Sequence, residues 1–183
     1  MQCPVCKTKR CVTAELEEHL KTAHCENCGG YWISHEHYET WLKHHGETLP
    51  EKSYSEVELD INDVQEAKIC PDCGRILLKY KVGHGLNFFV DHCPGCGGVW
   101  LDTNEWEALQ KKNLHDEIHK IFSTAWQNQI RGDQMAAKLD QAYSNRFGAD
   151  TYQKAKDIRK WFQAQPQKQA ILAYLADEDP YRI

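Results

Sequence analysis

Eight of the nine cysteines in this 183-residue chain fall into four Cys-x-x-Cys pairs, and no other feature restricts the fold as tightly. Cys3/Cys6 and Cys25/Cys28 are separated by 18 residues, Cys70/Cys73 and Cys93/Cys96 by 19. Each set has the spacing that delivers four thiolates to one tetrahedral zinc. A Cys-x-x-Cys turn folds both sulfurs onto one side, and a hairpin between two such turns closes the tetrahedron. Four sulfurs fill the coordination sphere and leave no position for water or substrate, so a structural metal is expected and an enzyme is not. A ribbon of about 40 residues buries too little apolar surface to offset its chain entropy, whereas a structural zinc supplies about 10–16 kcal/mol of coupled binding and folding. The expectation is two zinc ions per chain.

The copies also match outside the cysteines. Cys28-Gly29-Gly30-Tyr31-Trp32-Ile33 corresponds to Cys96-Gly97-Gly98-Val99-Trp100-Leu101 at an offset of 68. Ser34 and Asp102 follow as candidate helix N-caps, and Tyr38 aligns with Trp106. Through Cys70-Pro71-Asp72-Cys73-Gly74 and the run from Cys93-Pro94-Gly95 to Leu101-Asp102, the chain resembles the bacterial TFIIB-type zinc-ribbon (transcription factor zinc-finger) family. In that family a short four-cysteine ribbon ends in Gly-Gly-Val-Trp-Leu-Asp and leads into an acidic helix, here Glu105-Trp106-Glu107. The resemblance is close over residues 70–109 and looser over 3–42, where Lys7 replaces the glycine after the second cysteine. It implies zinc binding and a ribbon fold. The family's transcriptional label rests on likeness of fold, which does not establish function.

The fold class expected is small α+β: two tandem four-cysteine ribbons followed by a helical C-terminal region. Ribbon 1 with a short helix spans 1–45, an acidic linker 46–69, ribbon 2 70–101, the helical region 102–176 and a tail 177–183. In ribbon 2, Ile76, Leu78, Tyr80 and Val82 alternate with Leu77, Lys79 and Lys81, Gly83-His84-Gly85 turns, and Leu86, Phe88 and Val90 resume the alternation against Asn87, Phe89 and Asp91. Ribbon 1 has Glu17-Glu18-His19 where a turn glycine would help, so a helical turn is expected over 15–21. The linker carries seven acidic and two basic residues around Pro50 and Ser53-Tyr54-Ser55, with β-like positions at Val57, Leu59 and Ile61. From Trp106 to Trp126, apolar residues recur at helical spacing with a slip at 110–113. Gly132-Asp133 reads as a stop and restart, Phe147-Gly148 as a helix end, Asp150 as a cap, and Pro166 as the first turn of a helix over 166–176.

Other readings of the same residues are weaker. Cys-Pro-x-Cys-Gly turns also resemble rubredoxin's iron site, but the separation is short for it, and redox dithiols would need a βαβ context. Cys11 aligns with Leu78 and reads as a small buried hydrophobe. His115 and His119 stand at i and i+4, but the glutamate is one place late for a zinc-protease helix, and a solvated helix face is expected. His24 and His92 read as hairpin packing, and His35, His37, His44 and His45 as a cluster for adventitious metal. No Ser/His/Asp set, phosphate loop or dinucleotide fingerprint suggests a small-molecule substrate.

Charge and aromatic content bear on partners. The formal net charge is −5, and two zinc–tetrathiolate centres take it to about −9. Phosphate neutralisation needs clustered Lys and Arg, and the one cluster is Lys154, Lys156, Arg159 and Lys160 beside Trp161. Six tryptophans are more than a small core is expected to hold, and aromatics are enriched at protein-binding surfaces. Trp32 and Trp100 are expected to pack ribbon against helix. The reading is therefore a zinc-ribbon adaptor or regulator with a protein partner; the alternative is a transcription- or RNA-associated nucleic-acid binder, and a minor one a zinc or redox sensor. The longest apolar run, Ala170 to Ala176, is too short to cross a bilayer, and no basic stretch leads into an apolar core at the N-terminus. Cytoplasmic residence, where thiols stay reduced, is expected.

Overall fold

In the computed structural model, residues 1–45, 50–52 and 59–182 are described; Ser53-Tyr54-Ser55 and Val57 of the linker lie outside them. Val12–Glu17 (β1) and Leu20–His24 (β2) form a hairpin in ribbon 1. No helical turn forms over 15–21. His19 takes the left-handed conformation at φ 68° that a turn glycine would otherwise supply, and its N–H donates to Glu15 Oε1 at 2.7 Å. Tyr31–Ile33 (β3) pairs with β2, and His35–His45 (α1) follows, with Ser34 Oγ accepting from the His37 N–H at 3.2 Å as an N-cap does.

Ribbon 2 repeats the plan with Leu78–Gly83 (β4), Leu86–His92 (β5), Val99–Leu101 (β6) and the helix Glu105–Lys112 (α2). The six strands make one antiparallel sheet in the order β1-β2-β3-β6-β5-β4. The ribbons join where β3 meets β6: Tyr31 faces Leu101, Trp32 faces Trp100 and Ile33 faces Val99. Because the repeat offset is also 68, each tryptophan pairs with its own counterpart, and a local dyad passes between them. A methyl group on Gly30 would overlap the Trp100 ring, and one on Gly98 would overlap the Trp32 ring. The Gly-Gly of each ribbon thus makes room for the other ribbon's indole. Both indoles are buried against the other ribbon, not between ribbon and helix as the sequence suggested.

Val82, Leu86, Phe88 and Val90 are buried as the alternation requires, together with Trp41, Trp106, Leu109, Leu114, Ile118 and Ile121. At the zinc end the inward face changes. Ile76 and Leu78 are exposed, and Leu77 is buried instead, packed with the tetrad cysteines, Trp32 and Trp100. Leu59 and Ile61, from the second half of the linker, pack against the main core. Four of the six tryptophans are core, so their number says less about partners than the sequence suggested; Trp126 is half-buried and Trp161 exposed.

The stripe from Trp106 to Trp126 is three helices. Asn113, at φ 55°, ends α2 at the slip, and Ile118–Ile121 (α3) and Thr124–Phe147 (α4) follow. Helix α4 runs through Gly132 without a break, correcting the stop expected there. Ala149–Gln163 (α5) has Gly148, not Asp150, at its N-cap, and Lys168–Ala176 (α6) begins two residues after Pro166. The chain divides into two compact units, residues 1–130 and 131–183, a division that falls within the helical stretch 102–176. In the first unit the sheet and α1–α3 share one core; among the described residues of the second, none is buried. No helix among the described residues is long and apolar enough to cross a membrane.

Candidate metal centres

Each Cys-x-x-Cys turn is closed by a backbone hydrogen bond to the carbonyl of its first cysteine: from Lys7 at 2.9 Å, Gly29 at 2.8 Å, Gly74 at 3.0 Å and Gly97 at 2.9 Å. All four donors have positive φ, between 59° and 74°. Backbone N–H groups within the turns point at sulfur: Cys6 to Cys3 at 3.3 Å, Cys73 to Cys70 at 3.4 Å and Gly95 to Cys93 at 3.4 Å. Such donors stabilise thiolate over thiol. Asn27 Nδ2 adds a donor to Cys6 Sγ at 3.1 Å.

The sulfurs converge as the spacing predicts. Cys3, Cys6, Cys25 and Cys28 form one group and Cys70, Cys73, Cys93 and Cys96 another, with the sulfurs of each within 4.8 Å of one another. Individual separations are 3.6 Å for Cys3–Cys28, 3.8 Å for Cys6–Cys25, 3.5 Å for Cys70–Cys96 and 3.3 Å for Cys73–Cys93. A disulfide needs about 2.05 Å, whereas sulfurs around a tetrahedral zinc at about 2.3 Å stand roughly 3.8 Å apart. The donor set and its dimensions fit zinc, one ion per tetrad. Burial pushes the Cys25 thiol up, but backbone donors from Cys28 and Asn27, then Cys3 and Cys28, outweigh it and bring it down to about 7. Cys93, under the matching influences, also falls to about 7. Thiolate is the form that ligates zinc, so proton loss at each tetrad is coupled to metal binding. Cys11 sits beside the first tetrad, half-buried, and burial followed by the Cys3 and Cys25 charges pushes it up to about 12. It is a packing residue, not a reactive thiol.

Between the ribbon 2 hairpin and the linker lies a buried ionic network that the sequence reading missed. Lys68 Nζ donates to Asp91 Oδ2 at 2.6 Å, Asp102 Oδ2 at 3.0 Å and the Val64 carbonyl at 2.8 Å, and its side chain is 1% exposed. Burial works against the ammonium, but Asp91 and Asp102 outweigh it and hold it charged. Asp102 also accepts from the Val64 N–H at 2.8 Å and from Trp100 Nε1 at 2.7 Å. Asp102 therefore does not cap α2; Glu105 Oε2 instead reaches back to the Asp102 N–H at 2.8 Å. Asp63, Asp102 and Glu105 cluster closely enough to hold a cation, but Lys68 and Lys79 (3.5 Å from Asp63) already occupy that role. One of two lysines in an acidic stretch gave the only hint of this arrangement.

The remaining candidates scatter. His115 lies in the turn before α3, buried, while His119 is exposed within it, so they do not form an i, i+4 helical pair. Lys154, Lys156, Arg159, Lys160 and Trp161 are all exposed on α5. At about 100° per residue, Lys156, Arg159 and Lys160 share one side of that helix, and Lys154 and Trp161 share the opposite side with Ile158. Lys156 is also paired with Asp140 at 3.1 Å and lies 4.8 Å from the Tyr152 ring centre.

Two closed tetrathiolate ribbons sharing one sheet define a twin zinc-ribbon protein. Residues 2–44 and 69–112 each match the sequence model of the family described as transcription factor zinc-finger, the TFIIB-type zinc ribbon. Each matched segment takes in the cysteines and the helix after the last strand, α1 or α2. No curated protein and no solved structure matches the chain.

Proposed function

We propose that this chain is a non-enzymatic adaptor of the cytoplasm, in which zinc builds the ribbon platform and the C-terminal helices bind a protein partner. One observation carries the reading. Along the part of α4 after residue 130, Met135, Leu139, Tyr143 and Phe147 recur every four residues and are 45–58% exposed. Helices that bury no side chain of their own are marginal in water, and apolar residues at i, i+4 are how helices enter an apolar groove. A partner that covers this stripe supplies the burial the unit lacks. The closed tetrads support the non-enzymatic part, because their metals have no open position.

The test is capture of partners from the source cell with the wild-type chain and with Leu139→Glu/Tyr143→Glu. A complex that resists nuclease and is lost in the double variant is the expected result. A complex that survives the double variant and dissolves on nuclease treatment overturns the reading. That outcome would favour nucleic-acid binding through Lys154, Lys156, Arg159 and Lys160, whose supporting observation is their exposure on an otherwise acidic chain.

A further inference from the structure

Away from both tetrads, three donors from separate parts of the first unit converge. Glu17 ends β1, His45 ends α1, and His115 stands in the turn between α2 and α3. One ligand atom from each lies within 4.8 Å of the other two. His45 Nδ1 is 3.9 Å from Glu17 Oε1, and the His45 and His115 rings meet edge to face with centres 5.2 Å apart. Gln110 Nε2 donates to Glu17 Oε2 at 2.9 Å, which orients the carboxylate and leaves Oε1 for the cluster. Trp41 lies against both imidazoles, with ring centres at 4.3 Å and 5.8 Å, and Trp106 sits edge-on to His115 at 5.5 Å.

His115 is the informative member. It is 8% exposed, and its Nδ1 is buried with no hydrogen-bond partner. Burial holds this imidazole neutral, the form that ligates metal. Buried polar groups are almost always satisfied, and one left open beside a second imidazole and a carboxylate calls for an explanation. Glu17 and His45 retain 28% and 20% side-chain exposure, so the group opens to solvent on their side.

We propose that Glu17, His45 and His115 form a third metal site, for a divalent zinc-class ion, with one coordination position left open. Two imidazoles and one carboxylate are a donor set that zinc and its first-row neighbours take, and three protein ligands leave the fourth place free. Tetrahedral ligation would draw the donors to roughly 3.3 Å from one another, a contraction within reach of side-chain torsions. The tetrads hold their ions in closed shells; this site would exchange its ion readily. An ion here would also tie the ribbon 1 hairpin to the segment after ribbon 2.

The experiment uses the full chain carrying two zincs, titrated with zinc alone against a competing chelator and, in parallel, with cobalt. A third equivalent is expected, with cobalt absorption that lacks sulfur-to-metal charge transfer. Glu17→Gln and His45→Ala should each weaken that equivalent at least about tenfold while leaving two zincs bound. A wild-type stoichiometry of two overturns the proposal. So does a third equivalent that keeps wild-type affinity in either variant, which would assign it to surface histidines such as His19, His37 or His44.

Discussion

At Lys7 the backbone adopts φ 59°, the conformation that Gly29, Gly74 and Gly97 supply in the other three turns. A side chain in that region costs about 1–2 kcal/mol. Lys7→Gly is therefore expected to stabilise ribbon 1 by about 1 kcal/mol, read as a higher melting midpoint of the zinc-loaded chain. Lys68 presents the opposite case, a charge the fold cannot lose. Lys68→Met would leave Asp102 buried without its lysine and Asp91 with only Lys79 at 3.5 Å, and should cost about 3–5 kcal/mol in denaturant unfolding. Within the same network, burial and then the Asp102 charge push the Glu105 carboxyl well above the ordinary carboxylate range. Its protonated form favours the fold, so its contribution is present below the unfolded pKa and is lost as pH rises through the folded one. Glutamine stays neutral and still offers an oxygen to the Asp102 N–H. Glu105→Gln should match wild type below about pH 4 and gain stability over it at higher pH, measured as unfolding free energy against pH.

Among the elements, β3 and β6 are three residues each, yet they fuse the ribbons. Trp100→Ala removes a fully buried indole from that seam and should cost about 3–5 kcal/mol in unfolding of the zinc-loaded protein. The seam's hydrogen bonds break its symmetry in a compensating way. Trp32 Nε1 donates to Asp72 Oδ2 of the opposite ribbon at 2.9 Å, a position occupied by Val5 in the other copy; Trp100 Nε1 uses Asp102, where the first copy has Ser34. The ribbons themselves were legible because Cys-x-x-Cys spacing and strand alternation are local signals. The pairing of Trp32 with Trp100 was not, since it joins residues 68 apart that carry the same local pattern. Similarly, His19 could replace a turn glycine because Glu15 accepts its N–H, a contact that composition does not display. Glu17, His45 and His115 come from three elements, and no spacing rule links them. Conversely, Gly132 looked like a helix stop because propensity is a weak prior that a long helix overrides.

For the molecule as a whole, metal and core are one cooperative system over residues 1–130. Both tetrads pack with Trp32 and Trp100, and α1–α3 lie on the shared sheet. Chelation should therefore melt the two ribbons together with α2 and α3 in a single transition, followed by hydrogen exchange. Two separate transitions, one per ribbon, would contradict a shared core. The dyad between β3 and β6 carries a further consequence. An antiparallel pair centred on a residue and its own counterpart, Trp32 with Trp100, is the arrangement of an isologous homodimer, here made from two halves of one chain. The covalent connection between the ribbons keeps the halves at high effective concentration, so the interface forms without regard to dilution. A zinc-loaded ribbon 2 released from that connection would expose the free edge of β6 and should self-associate with a concentration-dependent mass. Pairing β3 with β6 removes one edge from each ribbon and leaves β1 and β4 as the edges of the shared sheet.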